Sequence, residues 1–143
     1  MSFSPLMMAA SMGQIKTAEL LLENGADIDY QVSCEQRKYH TALIAAIQSG
    51  RLRMVSFLLT KGAKSDPEPP DYRDCCYIPL IEALKLSRID IIDLLLQVLP
   101  LVKGNCITPA SFERCVEAEY DIERARKFSK VFWPLYTAYN RRL

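Results

Sequence analysis

Apolar residues in this chain gather in clusters whose internal spacing recurs. One set is Ile15, Ala18, Leu21 and Leu22; a second is Leu52, Val55, Leu58 and Leu59; a third is Ile89, Ile92, Leu95 and Leu96. Intervals of three and four residues put each set on one face of an α-helix. A shorter, alanine-rich stretch precedes each set, as in "PLMMAA" and "ALIAAI", and predicts a companion helix. Pro5 and Pro79 stand where the first turn of that companion tolerates a missing N–H. Gly25 and Gly62 follow the longer helix, where a C-terminal cap favours a positive φ. The pattern therefore predicts helix–turn–helix units.

The units lie on a fixed period. They start at Ser4, Thr41 and Ile78, and 41 − 4 = 37 while 78 − 41 = 37. The same offset relates Leu6, Leu43 and Leu80, then Ala9, Ala46 and Ala83, then Leu22, Leu59 and Leu96; it also carries Gly13 to Gly50 and Gly25 to Gly62. Each unit leaves one apolar face uncovered, and stacking neighbours bury it. In the first unit Ser4, Pro5, Leu6, Ala9, Ala10, Gly13, Leu20, Leu21, Leu22, Gly25, Ala26 and Asp27 resemble the ankyrin repeat pattern. Thr41, Leu43, Ala46, Gly50, Leu58, Leu59, Gly62 and Ala63 match it in the second, and Pro79, Leu80, Ala83, Leu94, Leu95 and Leu96 in the third. The resemblance covers roughly residues 4–99, with a degenerate continuation. It implies an all-α solenoid of stacked units joined by long hairpin-like loops. A single domain over 1–143 is expected, with repeats at 4–30, 41–66 and 78–99 and a divergent helical cap at 104–143.

Departures from the family pattern carry their own expectations. Met7, Ile44 and Ile81 replace the family's first-helix histidine, which implies a greasier interior or an apolar contact face. Ser87 and Leu99 replace glycines, so altered turns are expected in the third unit. The first unit starts at Ser4, so no separate polar capping helix is expected before it, and its open side, with Phe3, Met7, Met8 and Met12, is expected to make contacts. After Leu99 the pattern decays. Thr108 and Pro109 open another helix; Phe112, Cys115 and Val116 form one short apolar face, and Ile122, Ala125 and Phe128 a second. The reading is a fourth pair covering the end of the stack, with Phe132, Trp133, Leu135 and Tyr136 folded back on it. The alternative is a protruding tail with its own partner.

Composition narrows the function classes. The 143 residues are half hydrophobic and about a quarter charged, with net charge +1 and no low-complexity tract. Nothing global points to nucleic acid or a membrane. "IDIIDLLLQVLPLV" is interrupted by Asp90, Asp93, Gln97 and Pro100 and is too short and polar to span a bilayer. The N-terminal stretch lacks the basic start and long apolar run of a secretion signal. Cys34, Cys75, Cys76, Cys106 and Cys115 make an odd number without a framework. Reduced thiols and a cytoplasmic location are expected, the host cytoplasm for a delivered effector.

Cys34 and His40, six positions apart, raise the question of a metal or catalytic pair. Zinc needs four ligands, usually as two close pairs, and adding Cys75 and Cys76 reproduces no such spacing. A catalytic pair would need an orienting third group and an oxyanion pocket. "SMGQIK" and "QSGRLR" read as helix turns rather than phosphate loops. No catalytic, cofactor or metal residue is assigned, no cofactor is expected, and the chain is read as non-enzymatic. A disulfide from Cys34 to Cys75 or Cys76 on oxidation stays open. So does the rival reading of an enzyme or metal-dependent module built on the loop Cys and His residues. Residues 121–142 hold Arg124, Arg126, Lys127, Lys130, Arg141 and Arg142 against Asp121 and Glu123, and 6 − 2 = +4. With Phe132, Trp133 and Tyr136 interleaved this is a nucleic-acid alternative; a solvated helix face is the simpler reading.

The loops say more than their cysteines. Ankyrin units run about 33 residues, so a 37-residue period adds about four per unit, falling in 30–40 and 67–77. Such insertions collect on one face, often the binding face. Three prolines stiffen "PEPPDYRDCCY". In the family, hairpin tips and the exposed side of the first helices line a concave surface. That implies Arg37, Lys38, Tyr39 and His40 from the first finger, and Tyr72, Arg73, Asp74 and Tyr77 from the second. Ser11, Met12, Gln48, Ser49, Lys85 and Leu86 would join from the helix ends. With Arg51 and Arg88 nearby, the expected partner is another protein carrying an acidic patch. A monomer would bind it as adaptor, inhibitor or effector. The plainer alternative is long solvated loops with no partner.

Overall fold

The computed structural model describes residues 3–33, 39–64 and 78–98, with positions 123, 126, 127, 130, 133 and 134 of the C-terminal segment. Each unit is a pair of antiparallel helices: α1 (Pro5–Met12) with α2 (Ile15–Glu23), α3 (Ala42–Gln48) with α4 (Leu52–Thr60), and α5 (Ile78–Lys85) with α6 (Ile89–Val98). A short antiparallel ladder, β1 (Val32–Ser33) with β2 (Tyr39–His40), leads from the first unit to the second. This is the expected all-α solenoid, with a hairpin finger between its first two units.

Local chemistry repeats with the sequence. Ser4 Oγ accepts from the Met7 N–H at 3.2 Å and Thr41 Oγ1 from the Ile44 N–H at 3.2 Å, capping α1 and α3 at the same register. Each first helix then closes with the same long-range bond. The N–H of Gln14 donates to Ala9 O at 2.9 Å, Arg51 to Ala46 O at 2.9 Å, and Arg88 to Ala83 O at 3.3 Å. That bond needs a left-handed residue just before it. Gly13 and Gly50 supply φ of +73° and +65°, and Ser87 supplies +52°. The third turn is therefore not altered as expected: serine takes the glycine conformation, and the shared hydrogen bond holds it there. Gly25 and Gly62 show the positive φ expected of them.

Small buried residues, Ala9, Ala10, Ala45, Ala46 and Ala83, let α1, α3 and α5 lie side by side as an inner row. Leu6, Leu43 and Leu80 fill the space beneath, and Ala18, Val55, Ile92, Leu58 and Leu95 close it from the outer helices. Four residues depart from expectation. Met7 is fully buried in the core cluster rather than part of an exposed side, while Phe3, Met8 and Met12 are exposed as expected. Ile89, expected on the buried face, is 58% exposed. Met54 and Ile91 are fully buried although they lie off the predicted stripe. The stripe is wider here because α4 and α6 pack against each other as well as against the inner row. The same register in the terminal unit is Thr17, which is exposed.

Units are also tied by polar contacts. The Lys64 N–H donates to Asp29 Oδ1 at 2.8 Å, and the Asp29 N–H donates to Asp27 Oδ1 at 3.0 Å. Trp133 is half-buried and packs on the core cluster. The other residues named for the cap, Thr108, Pro109, Phe112, Cys115, Val116, Ile122, Ala125, Phe128, Phe132, Leu135 and Tyr136, lie outside the described residues, as do Leu99 and the side chains of Ile81 and Leu96. Among the described residues no helix is long and apolar enough to cross a membrane.

Candidate functional site

The first finger enters the stack through its ladder, in which Val32 pairs with His40 and Ser33 with Tyr39. The pairing sets Tyr39 and His40 immediately before the Thr41 cap of α3. Phe3 occupies the register of His40 one unit earlier, and the two rings meet edge to face, centroids 5.8 Å apart at 83°. The aromatic pair thus bridges the start of the first unit and the finger.

At the opposite end of the inner row lie Ser11, Met12, Gln48, Ser49 and Leu86. The seven residues of α3 separate the two ends by roughly 10 Å at 1.5 Å per residue. Met12 is 55% exposed and Leu86 is also exposed, at one register with Ser49 between them. Met8, one turn back, adds to the exposed apolar surface. Gln48 reaches across the units, its Nε2 donating to Glu82 Oε2 at 3.3 Å. Glu82, buried at 8% exposure, was not legible as a site residue. The available signal was its register: Met8 and Ala45 precede it, and an acid stands there instead of an apolar residue.

Two arginines at one register reach back across the stack. Arg51 Nε donates to Ser11 O at 3.4 Å with its stem against Gly13. Arg88 Nη1 donates to Gly50 O at 3.1 Å, and its guanidinium grips Asp90 at 2.8 Å. Each side chain reaches back to the turn of the preceding unit. Arg88, counted as charge toward an acidic partner, instead forms an ion pair with Asp90 at the partly exposed turn. Its hydrogen bond, with a smaller charge contribution, holds the Asp90 carboxyl below the ordinary range and raises the arginine's own pKa.

Several expected site residues, Arg37, Lys38, Tyr72, Arg73, Asp74 and Tyr77, lie outside the described residues, as do all five cysteines; Tyr39 and Lys85 are described in backbone only. Among the described residues no three His, Cys, Asp or Glu side chains are grouped to hold a metal ion. Glu123, Arg126, Lys127 and Lys130 are exposed helical positions.

The repeating caps, turns and alanine-lined inner row have a counterpart among known families: residues 6–103 match the model for ankyrin repeats, in three copies. The chain belongs to the ankyrin repeat family. A comparison with curated proteins returned no match. Among solved structures, the crystal structure of the human ASB11 ankyrin repeat domain is similar at 18% identity and a TM-score of 0.58. The match covers 95% of this chain and 54% of that one, so this ankyrin chain spans about half the length of that domain. At that identity the likeness shows the fold alone. Ankyrin repeats are in general protein–protein interaction modules, and no feature above singles out one role within that class.

Proposed function

We propose that this chain is a non-catalytic recognition module. It binds a partner protein on the inner row of helices and on the fingers that precede them. The observation that carries the reading is the row Met12, Ser49 and Leu86, exposed at one register beside Gln48 and Met8. Among the described residues, Leu6, Met7, Leu43, Ile44, Ile47 and Leu80 of the inner helices are buried, so large exposed side chains in line on a rigid scaffold supply anchors at little ordering cost. Arg37, Lys38, Tyr39 and His40 extend the surface from the first finger, and Tyr72, Arg73, Asp74 and Tyr77 from the second. Lys85 completes the row. Arginine and tyrosine are enriched at interface cores. Basic residues Arg37, Lys38, Arg73 and Lys85 suit a partner with an acidic patch. Adaptor, inhibitor and effector roles all use such a surface.

Affinity capture from the native source tests this. The chain is expected to enrich one protein specifically. Arg37→Ala with Tyr39→Ala should reduce recovery while leaving the melting temperature within about 2–3 °C. Undiminished recovery with those substitutions and with Met12→Asp would remove the inner row and first finger from consideration.

A further inference from the structure

The outer helices α2, α4 and α6 carry a second surface that the recognition reading leaves unused. A groove of about 830 Å³ crosses all three, floored by Ile15, Leu52, Phe57 and Leu94. Two apolar pairs at the 37-residue offset line it: Ile15 with Leu52, and Phe57 with Leu94. The outward face of an amphipathic helix is normally polar. Outside the groove's lining, the same two registers are completed by Leu20 and Ile89, which are more than half exposed and do not contribute to the core.

Charge gives the groove a direction. Lys16 and Arg53 occupy one register on α2 and α4, both exposed, and neither forms an ion pair among the described residues. Both stand in the first helical turn, where the backbone N–H groups already concentrate positive charge, and no acidic residue there offsets them. The same register in α6 is Asp90, held by Arg88, with Asp93 one turn along hydrogen-bonded to Gln97. The groove is therefore basic over the first two units and acidic over the third.

We propose that this groove docks an acidic amphipathic helix of a partner protein, distinct from whatever occupies the inner row. Helices packed 8–10 Å apart make a three-helix groove about 20 Å long, matching about thirteen helical residues at 1.5 Å each. The helix lays apolar residues at i, i+3, i+4 and i+7 on the floor. Its acidic end lies over Lys16 and Arg53, and its basic or neutral end over Asp93. The chain then holds two proteins at once, one on each row of helices.

The test is a displayed library of fourteen-residue helix-forming peptides selected on the full chain. Enriched peptides should combine that apolar spacing with clustered Asp and Glu. Lys16→Glu with Arg53→Glu should weaken them by about tenfold, whereas Met12→Asp with Gln48→Ala leaves their affinity unchanged. Failure to enrich any peptide would overturn the proposal, as would enrichment without acidic bias or indifference to the charge reversal. Sedimentation supplies the remaining arm: a dimer abolished by the same reversal would assign the groove to a second copy of the chain instead.

Discussion

At the scale of single residues, the turn between inner and outer helix concentrates the strain and the coupling. Gly50 has φ of +65°, and a Cβ there would stand 2.9 Å from Arg88 Nη1. Gly50→Ala should cost about 1–2 kcal/mol for the left-handed backbone, and also displace Arg88 from Gly50 O. Denaturant melts of Gly50→Ala, Arg88→Ala and the double variant check this: the two changes should be non-additive, the double costing less than the sum. Ser87 reports the same geometry from the other side. Because its φ of +52° strains a side chain, Ser87→Gly should stabilise by about 0.5–1 kcal/mol, read as a rise in melting temperature. Asp90 makes a pH prediction. Its folded pKa lies below its unfolded value because of Arg88, so its contribution is present above the unfolded pKa and vanishes as pH falls through the folded one. Both groups are exposed and screened, so the stability change is small. The carboxyl signal should titrate below the ordinary aspartate value by NMR and return toward it in Arg88→Ala.

At the scale of elements, equivalent positions should not respond equally. Leu21, Leu58 and Leu95 share one register, but Leu58 and Leu95 are fully buried while Leu21 is half-buried on the outer flank. Leu58→Ala should cost about 3–5 kcal/mol by cavity formation, and Leu21→Ala clearly less, in the same denaturant melts. Thr41 caps α3 from a buried site, so Thr41→Ala should cost about 1–2 kcal/mol. The same asymmetry explains what the residue pattern conveyed and what it did not. Spacing of three and four found Ala18, Val55, Leu58 and Ile92 because an amphipathic stripe is a local property. Met54 and Ile91 escaped it because a helix flanked by others buries a wider arc, which depends on the neighbours. Glu82 escaped because an acid reads as surface until Gln48 is brought to it from 34 positions away.

At the scale of the whole molecule, the 37-residue period made the stack and its register legible before any coordinates. Caps, turns and inner alanines recur at that offset because each unit solves the same packing problem. The candidate site was legible only in part. Met12, Gln48 and His40 fall on the inner row or its finger as the family pattern implies, but Arg88 is taken up by Asp90 of its own unit and by Gly50 O in the turn of the preceding one. The central claim is that the inner row, with the first finger, is the recognition face. Its most direct test is calorimetric titration of the captured partner into the wild-type chain and into Met12→Asp with Tyr39→Ala. The account predicts binding weakened by about thirtyfold or more, equivalent to one hot spot of about 2 kcal/mol, with the melting temperature preserved. Wild-type affinity in that variant would contradict it.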